Sequence, residues 1–157
     1  MDAVAEETLV LSSLACAFHA GCVVYVGGRA MSPADGDWTE YLRFVERHKS
    51  PGRVLRALVL ERGYGPTIRQ RQALHAATAG VSVRVAILTN SAFARGVAVM
   101  VALVNPGYKA FPFERLHEAL AHLEIGREEA GAFEARLSNL EARVERAKSH
   151  LPTSSPY

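Results

Sequence analysis

Two short, almost continuous apolar runs constrain the fold of this chain more than any other feature. The runs cover residues 54–60 and 83–89, and each is followed by a turn and then by helix-forming sequence. Runs of this length and composition are typical of strands buried on both faces of a parallel sheet. Because parallel neighbours are joined through a helical crossover, the pattern predicts an α/β domain with right-handed connections.

The segments on either side continue this alternation. The runs 14–19 and 22–26 flank a small-residue turn, which predicts a β-hairpin with Cys16 opposite Tyr25. Another short strand is expected at 108–111. Helices are predicted between capping or proline residues and the next Gly or Pro, over the ranges 33–50, 66–79, 91–104 and 116–125.

A further helix is predicted over 127–148. Its apolar residues recur at spacings of three and four, at Ala130, Phe133, Leu137, Leu140, Val144 and Ala147. This seam is too short for a free-standing coiled coil, so we expect it to dock on a globular surface. The predicted organisation is an N-terminal extension (1–13), an α/β domain (14–125), an added amphipathic helix (126–150) and a disordered, Pro- and Ser-containing tail (151–157).

Composition narrows the class of protein. With 157 residues, 49% hydrophobic and 22% charged, the chain is expected to form one folded domain, and its net charge of +2 gives no argument for nucleic-acid binding. The longest apolar run, 96–104, is too short to span a membrane. The acidic start lacks the basic flank of a signal peptide, so a cytoplasmic protein without disulfides is expected.

The motifs that usually carry chemistry are incomplete. His117 and His122 are five residues apart, which places them on different faces of a helix and not together on a zinc ion. The glycine turn before Pro66 lacks the residues of a phosphate loop, and no nucleophile elbow occurs. We therefore predict no catalytic residue, no metal ligand and no cofactor, and an enzyme of unrecognised type is the least favoured class of function.

A resemblance to a known family is carried by three stretches. They are LVLERGYGPTIRQR (58–71), VAILT (85–89) and NPGYKAF (105–111). In their order and in the positions of their turn residues they resemble the bacterial SpoIIAA-like proteins of the STAS/SEC14-like superfamily, over roughly 14–125. The resemblance implies a STAS-like mixed β-sheet with helices, to which the last helix is an addition, and a non-enzymatic switch that binds a partner protein or a small ligand. It also implies a phosphorylation candidate, Thr67, although this chain has Tyr64 where the family has an acidic residue.

The predicted third helix is apolar on all sides. A helix of this kind needs covering on two faces, either by the last helix or by a second subunit or another protein. The residues expected at a partner interface are Val99, Ala102, Leu103, Phe133, Leu137, Leu140 and Val144.

Four arginines follow two predicted strands whose loops should share one edge of the sheet: Arg62, Arg69, Arg71 and Arg95. They are expected either to form an anion-binding rim there or to be solvated on helix surfaces. The leading hypothesis is a non-catalytic regulatory or scaffold module that acts by protein–protein interaction, possibly as a homodimer. The alternative is a module that binds a small ligand or a lipid in a cavity between the sheet and the helices.

Overall fold

The computed structural model describes residues 6–29 and 31–150, so the predicted disordered tail lies outside the described residues. The six strands are β1 (Thr8–Val10), β2 (Leu14–His19), β3 (Cys22–Gly27), β4 (Leu55–Leu60), β5 (Val83–Leu88) and β6 (Tyr108–Phe111). The helices are α1 (Asp35–His48), α2 (Ile68–Ala77), α3 (Ala92–Val104), α4 (Leu116–His122) and α5 (Ala130–Ser149). The predicted α/β class is therefore confirmed.

The strands form one mixed sheet in which the spatial order follows the order in the chain. The first three strands pair antiparallel, and β3, β4, β5 and β6 pair parallel. The hairpin has the predicted register, with Cys16 opposite Tyr25, and both cysteines are free. The strand β1 was not predicted: it lies within the segment expected to be an extension, and its three residues pair along β2.

Helices cover both faces of the sheet, and each face has its own core. On one face, α4 and α5 pack against the side chains of Val24, Val26, Leu58 and Ala86. On the other face, α1 contributes Trp38, Tyr41, Phe44 and Val45, which pack on Val23 and Tyr25. Because side chains alternate along each strand, neighbouring residues of β3 serve opposite cores.

The helix α5 buries its apolar seam from Ala130 to Val144 inside the domain, and Ala147 at the end of the seam is half-buried. Phe133, Leu137, Leu140 and Val144 lie in the core against the sheet and α4, with exposures between 0% and 7%. This corrects the expectation that these four side chains belong to a partner interface, because they are already covered by the protein's own sheet. The helix docks on a globular surface as predicted, but that surface is the sheet and not α3.

The helix α3 is the exception to this burial. Ala98 is its buried residue, whereas Phe93, Val99, Met100, Leu103 and Val104 are 65–86% exposed. No described helix, α3 included, combines the length and the apolar character that a membrane span requires. The apolar side chains of α3 therefore remain uncovered on its outer face.

Candidate ligand-binding cavity

A large cavity separates the sheet from α2 and α3, on the face that α1 covers only in part. Its volume is about 1270 Å³. The walls are mostly apolar and include Val23, Ala57, Val59, Val85, Ile87 and Tyr108 from the sheet, and Leu74, Val97, Ala98 and Val101 from the helices. This volume lies somewhat above the usual range for small-molecule sites, about 300–1,000 Å³, because the cavity is open to solvent.

The cavity exists because α3 packs along the edge strand β6 and leaves the inner strands β4 and β5 largely uncovered. Phe93 and Val104, at the two ends of α3, line the cavity and are still 80% and 86% exposed. The cavity therefore opens to solvent beside both ends of this helix, and α3 forms its roof. Small side chains, Ala94 and Ala98, leave further space beneath the roof.

The position of α2 is fixed by a buried glutamine. Gln70 is 3% exposed, and its Nε2 donates to the carbonyl oxygen of Pro33 at 2.7 Å and to Asp35 Oδ1 at 3.0 Å. In return, Trp38 Nε1 donates to the carbonyl oxygen of Gln70 at 2.9 Å. These bonds hold the start of α2 against the start of α1, and the gap that remains lies between α2 and α3.

A carboxylate closes the end of the cavity at which the parallel strands finish. Glu61 directly follows β4, is 7% exposed and lines the cavity. A Cβ on Gly27 would lie 2.8 Å from its Oε1, so a larger residue at this position of β3 would require the Glu61 side chain to shift. Burial raises the pKa of the Glu61 carboxyl to about 7, against the smaller lowering effect of hydrogen bonds from the Gly63 and Gly65 backbone.

An unpartnered phenol lies near this carboxylate. The hydroxyl of Tyr25 is buried without a hydrogen-bond partner among the described residues. Burial raises the pKa of Tyr25 well above its usual value, and the nearby charge of Glu61 raises it further. A buried hydroxyl usually has a hydrogen-bond partner, so Tyr25 is an exception among the polar groups of this core.

Tyr25 belongs to an aromatic cluster with Trp38 and Tyr41, and all three residues line the cavity. The ring centroids of Tyr25 and Tyr41 are 4.8 Å apart, and those of Trp38 and Tyr41 are 5.0 Å apart. The side-chain alternation of β3 and the helical spacing of α1 bring these rings to the same side of the sheet.

The four arginines of the predicted anion-binding rim do not all line the cavity. Arg62 and Arg71 line the cavity, whereas Arg69 and Arg95 are exposed and are not among its lining residues. The guanidinium of Arg62 lies 4.4 Å from the ring centre of Phe113, and its Nε donates to the Glu141 carboxylate.

Thr67 is the N-cap of α2. Its side chain accepts from Gln70 N at 3.1 Å, and the Gln70 side chain accepts from Thr67 N at 2.9 Å, which together form a capping box. A cap of this type contributes about 0.5–2 kcal/mol to stability. Phosphorylation of Thr67 stays a prediction from the resemblance.

His122 and the two cysteines are the other side chains considered for metal binding or catalysis. His122 Nε2 lies 2.8 Å from the carbonyl oxygen of Gly107, and no cluster of three His, Cys, Asp or Glu side chains suited to a metal occurs among the residues that the structure describes. Burial raises the pKa of both Cys16 and Cys22 to about 12, so neither thiol ionises at neutral pH.

Sequence reasoning missed Glu61 and Tyr25. One signal was available: Glu61 is a charged residue directly after an apolar strand, at the edge of the sheet where ligands usually bind in α/β proteins. Nothing in the sequence singled out Tyr25, because a tyrosine in an apolar strand is typical of an ordinary core.

Comparison with known protein families, with curated proteins and with solved structures gave no match to this chain.

Proposed function

We propose that this protein binds a small apolar or amphipathic molecule between its sheet and α3. The observation that carries the proposal is the open cavity of about 1270 Å³, whose mostly apolar walls include the buried carboxylate of Glu61. Apolar walls with a few convergent polar groups are the usual composition of a ligand site. The function is therefore the second of the two classes expected from the sequence, a ligand-binding module.

The apolar side chains of α3 that face the cavity support this proposal. A ligand beneath α3 would contact Val97, Ala98 and Val101, which line the cavity, and would add to the apolar surface that this helix buries. Ligand binding would thus supply the apolar contacts that the free domain lacks. Since Phe93 and Val104 already mark openings, a ligand could enter without unfolding of the sheet.

A bulky side chain in the roof tests the proposal. Val97 lines the cavity, whereas Val99 on the same helix is 65% exposed. We expect Val97→Trp to weaken binding of the uncharged fluorescent probe N-phenyl-1-naphthylamine by about tenfold or more, because the indole fills the space. The matched control, Val99→Trp, should bind within about twofold of the parent protein.

Native mass spectrometry of the freshly purified protein is the complementary measurement. A retained small molecule in the parent protein and in Val99→Trp, but not in Val97→Trp, is the expected result. Equal probe affinity in all three proteins would contradict a site beneath α3.

Protein–protein interaction through homodimerisation is the second candidate function, favoured by the outer face of α3. Val99, Met100 and Leu103 are 65–82% exposed on a helix whose single charge is Arg95. Antiparallel pairing of two copies would cover these side chains and would place the two Arg95 side chains at opposite ends, so no like charges meet.

Sedimentation equilibrium at micromolar concentration tests this second candidate. We expect twice the 17.0 kDa mass of one chain, and a monomer for Leu103→Glu. Ile68→Glu is the control, because Ile68 is 67% exposed on α2. A parent protein that sediments as a monomer would remove the dimer hypothesis.

The finer assignments suggested by the resemblance belong to the same proposal. These are a STAS-like fold, a bacterial regulatory role and a cytoplasmic location. What supports the first is the arrangement of an antiparallel hairpin that leads into parallel strands joined by helices.

A further inference from the structure

One end of the cavity combines a carboxylate with aromatic rings. Tyr25 lies two residues before Gly27 on β3, and Gly27 lies beside Glu61, the residue directly after β4. Successive residues on one face of a strand are about 7 Å apart, so the phenol and the carboxylate share this end. Trp38 and Tyr41 complete the aromatic cluster on the α1 side.

The nearby cations do not neutralise Glu61. Arg29 and Arg62 line this end of the cavity, but both pair with Glu141 of α5, Arg29 at 3.6 Å. Among the described residues, no ion pair to Glu61 occurs within 4.0 Å. The carboxylate therefore lies beside an apolar cavity without a positive partner.

The other charged groups around the cavity lie on the neighbouring helices. Asp37 of α1 contributes negative charge near Tyr25, and its Oδ2 accepts from Ser13 Oγ at 2.6 Å and from Ser13 N at 3.0 Å. Arg71 and His75 line the cavity from α2, and both residues are exposed to solvent. Near the aromatic cluster, Glu61 is thus buried and Asp37 half-buried, whereas Arg71 and His75 of α2 are solvated.

We propose that this end of the cavity binds the ammonium group of an amphipathic amine, whose apolar part lies between the sheet and α3. The inference rests on the proposed function, since it names the class of ligand for the same cavity. An ammonium group donates hydrogen bonds, and the Glu61 carboxylate accepts them. Aromatic rings beside a carboxylate also favour a cation through their negative faces.

The same chemistry disfavours a fatty acid. A ligand carboxylate at this end would meet Glu61, which carries the same charge. A neutral alcohol can donate to Glu61 but gains no charge attraction. The predicted order of affinity is therefore amine, then alcohol, then carboxylate.

Three probes with the same ten-carbon chain test this order on the full chain: decylamine, decanol and decanoate. We expect calorimetric titration at pH 8 to give at least tenfold tighter binding of decylamine than of decanoate. The preference should fall about tenfold or more at pH 5.5, because Glu61, with a pKa of about 7, is then protonated whereas the amine keeps its charge.

Variants assign the effect to residues. Glu61→Gln should remove the preference for the amine while decanol still binds, which shows that the cavity is intact. Tyr25→Phe should weaken decylamine binding less than Glu61→Gln does. The control is Glu118→Gln, an exposed carboxylate of α4, which should leave all three affinities unchanged.

Decanoate binding as tightly as decylamine, or decylamine binding unchanged in Glu61→Gln, would overturn the assignment of the ligand class. If Glu61→Gln fails to fold, the pH series and Tyr25→Phe decide the same question. If none of the three probes binds, the cavity is not a ligand site and the proposed function fails with the inference.

Discussion

Removal of α5 is expected to unfold the protein. Truncation after Gly126 would expose one face of the sheet, which α5 covers with Phe133, Leu140 and Val144. Full burial of each large apolar side chain contributes about 1.5–3 kcal/mol, whereas a whole domain is stable by about 5–15 kcal/mol. The truncated chain should therefore lose the cooperative unfolding transition seen by circular dichroism, or aggregate.

A single substitution in α5 gives a measurable value for its contribution to the free energy of unfolding. Leu140 is 0% exposed, so Leu140→Ala should lower the free energy of unfolding by about 2–5 kcal/mol in urea denaturation. The control on the same helix is Asn139→Ala, an exposed position, with an expected change within about 0.5 kcal/mol. A truncated protein that stays folded and equally stable would mean that the sheet does not depend on α5.

The second large effect is a dependence of stability on pH through Glu61. Its carboxyl has a pKa of about 7 in the folded protein against an ordinary value of 4.5, because burial disfavours the charged form. Between these pH values the native state keeps the proton and the unfolded state has released it. The contribution of Glu61 to the free energy of unfolding therefore falls as pH rises from 4.5 to 8, by up to about 3 kcal/mol.

The measurement is urea denaturation of the parent protein and of Glu61→Gln across this pH range. The difference between the two proteins isolates Glu61 from carboxylates such as Glu6 and Glu7. Hydrogen bonds from His19 and Arg47, respectively, lower the pKa of these two groups, so they lose their stabilising effect as pH falls. Glu61→Gln should gain stability relative to the parent protein as pH rises. Parallel pH profiles would show that Glu61 does not hold its proton at neutral pH.

A ligand connects this prediction to the amine hypothesis. An ammonium group beside Glu61 would stabilise the charged carboxylate and lower its pKa, so the loss of stability above pH 5 should shrink when decylamine is present. The same titration therefore reports on the fold and on the site.

The elements of this fold could be predicted because each depends on local chemistry. The apolar runs at β4 and β5 and the turn between β2 and β3 act within a few residues of chain. Strand β1 was missed because its three residues carry too little pattern, and only pairing along β2 makes them a strand. The apolar seam of α5 was recognised as a docking face. The surface on which it docks could not be predicted, because it depends on which face of the sheet the other helices leave uncovered.

By itself, the sequence determined the alternation of strands and helices, the hairpin register and the unusual apolar character of α3. Tertiary structure alone decided that α5 covers the sheet, which left α3 without a cover on its outer face and an open cavity beneath it. It also decided that Tyr25, Trp38 and Glu61, which are distant in sequence, line the same cavity. The physical reason is that periodicity shows which face of an element is apolar, whereas the partner of that face depends on how all the elements pack together.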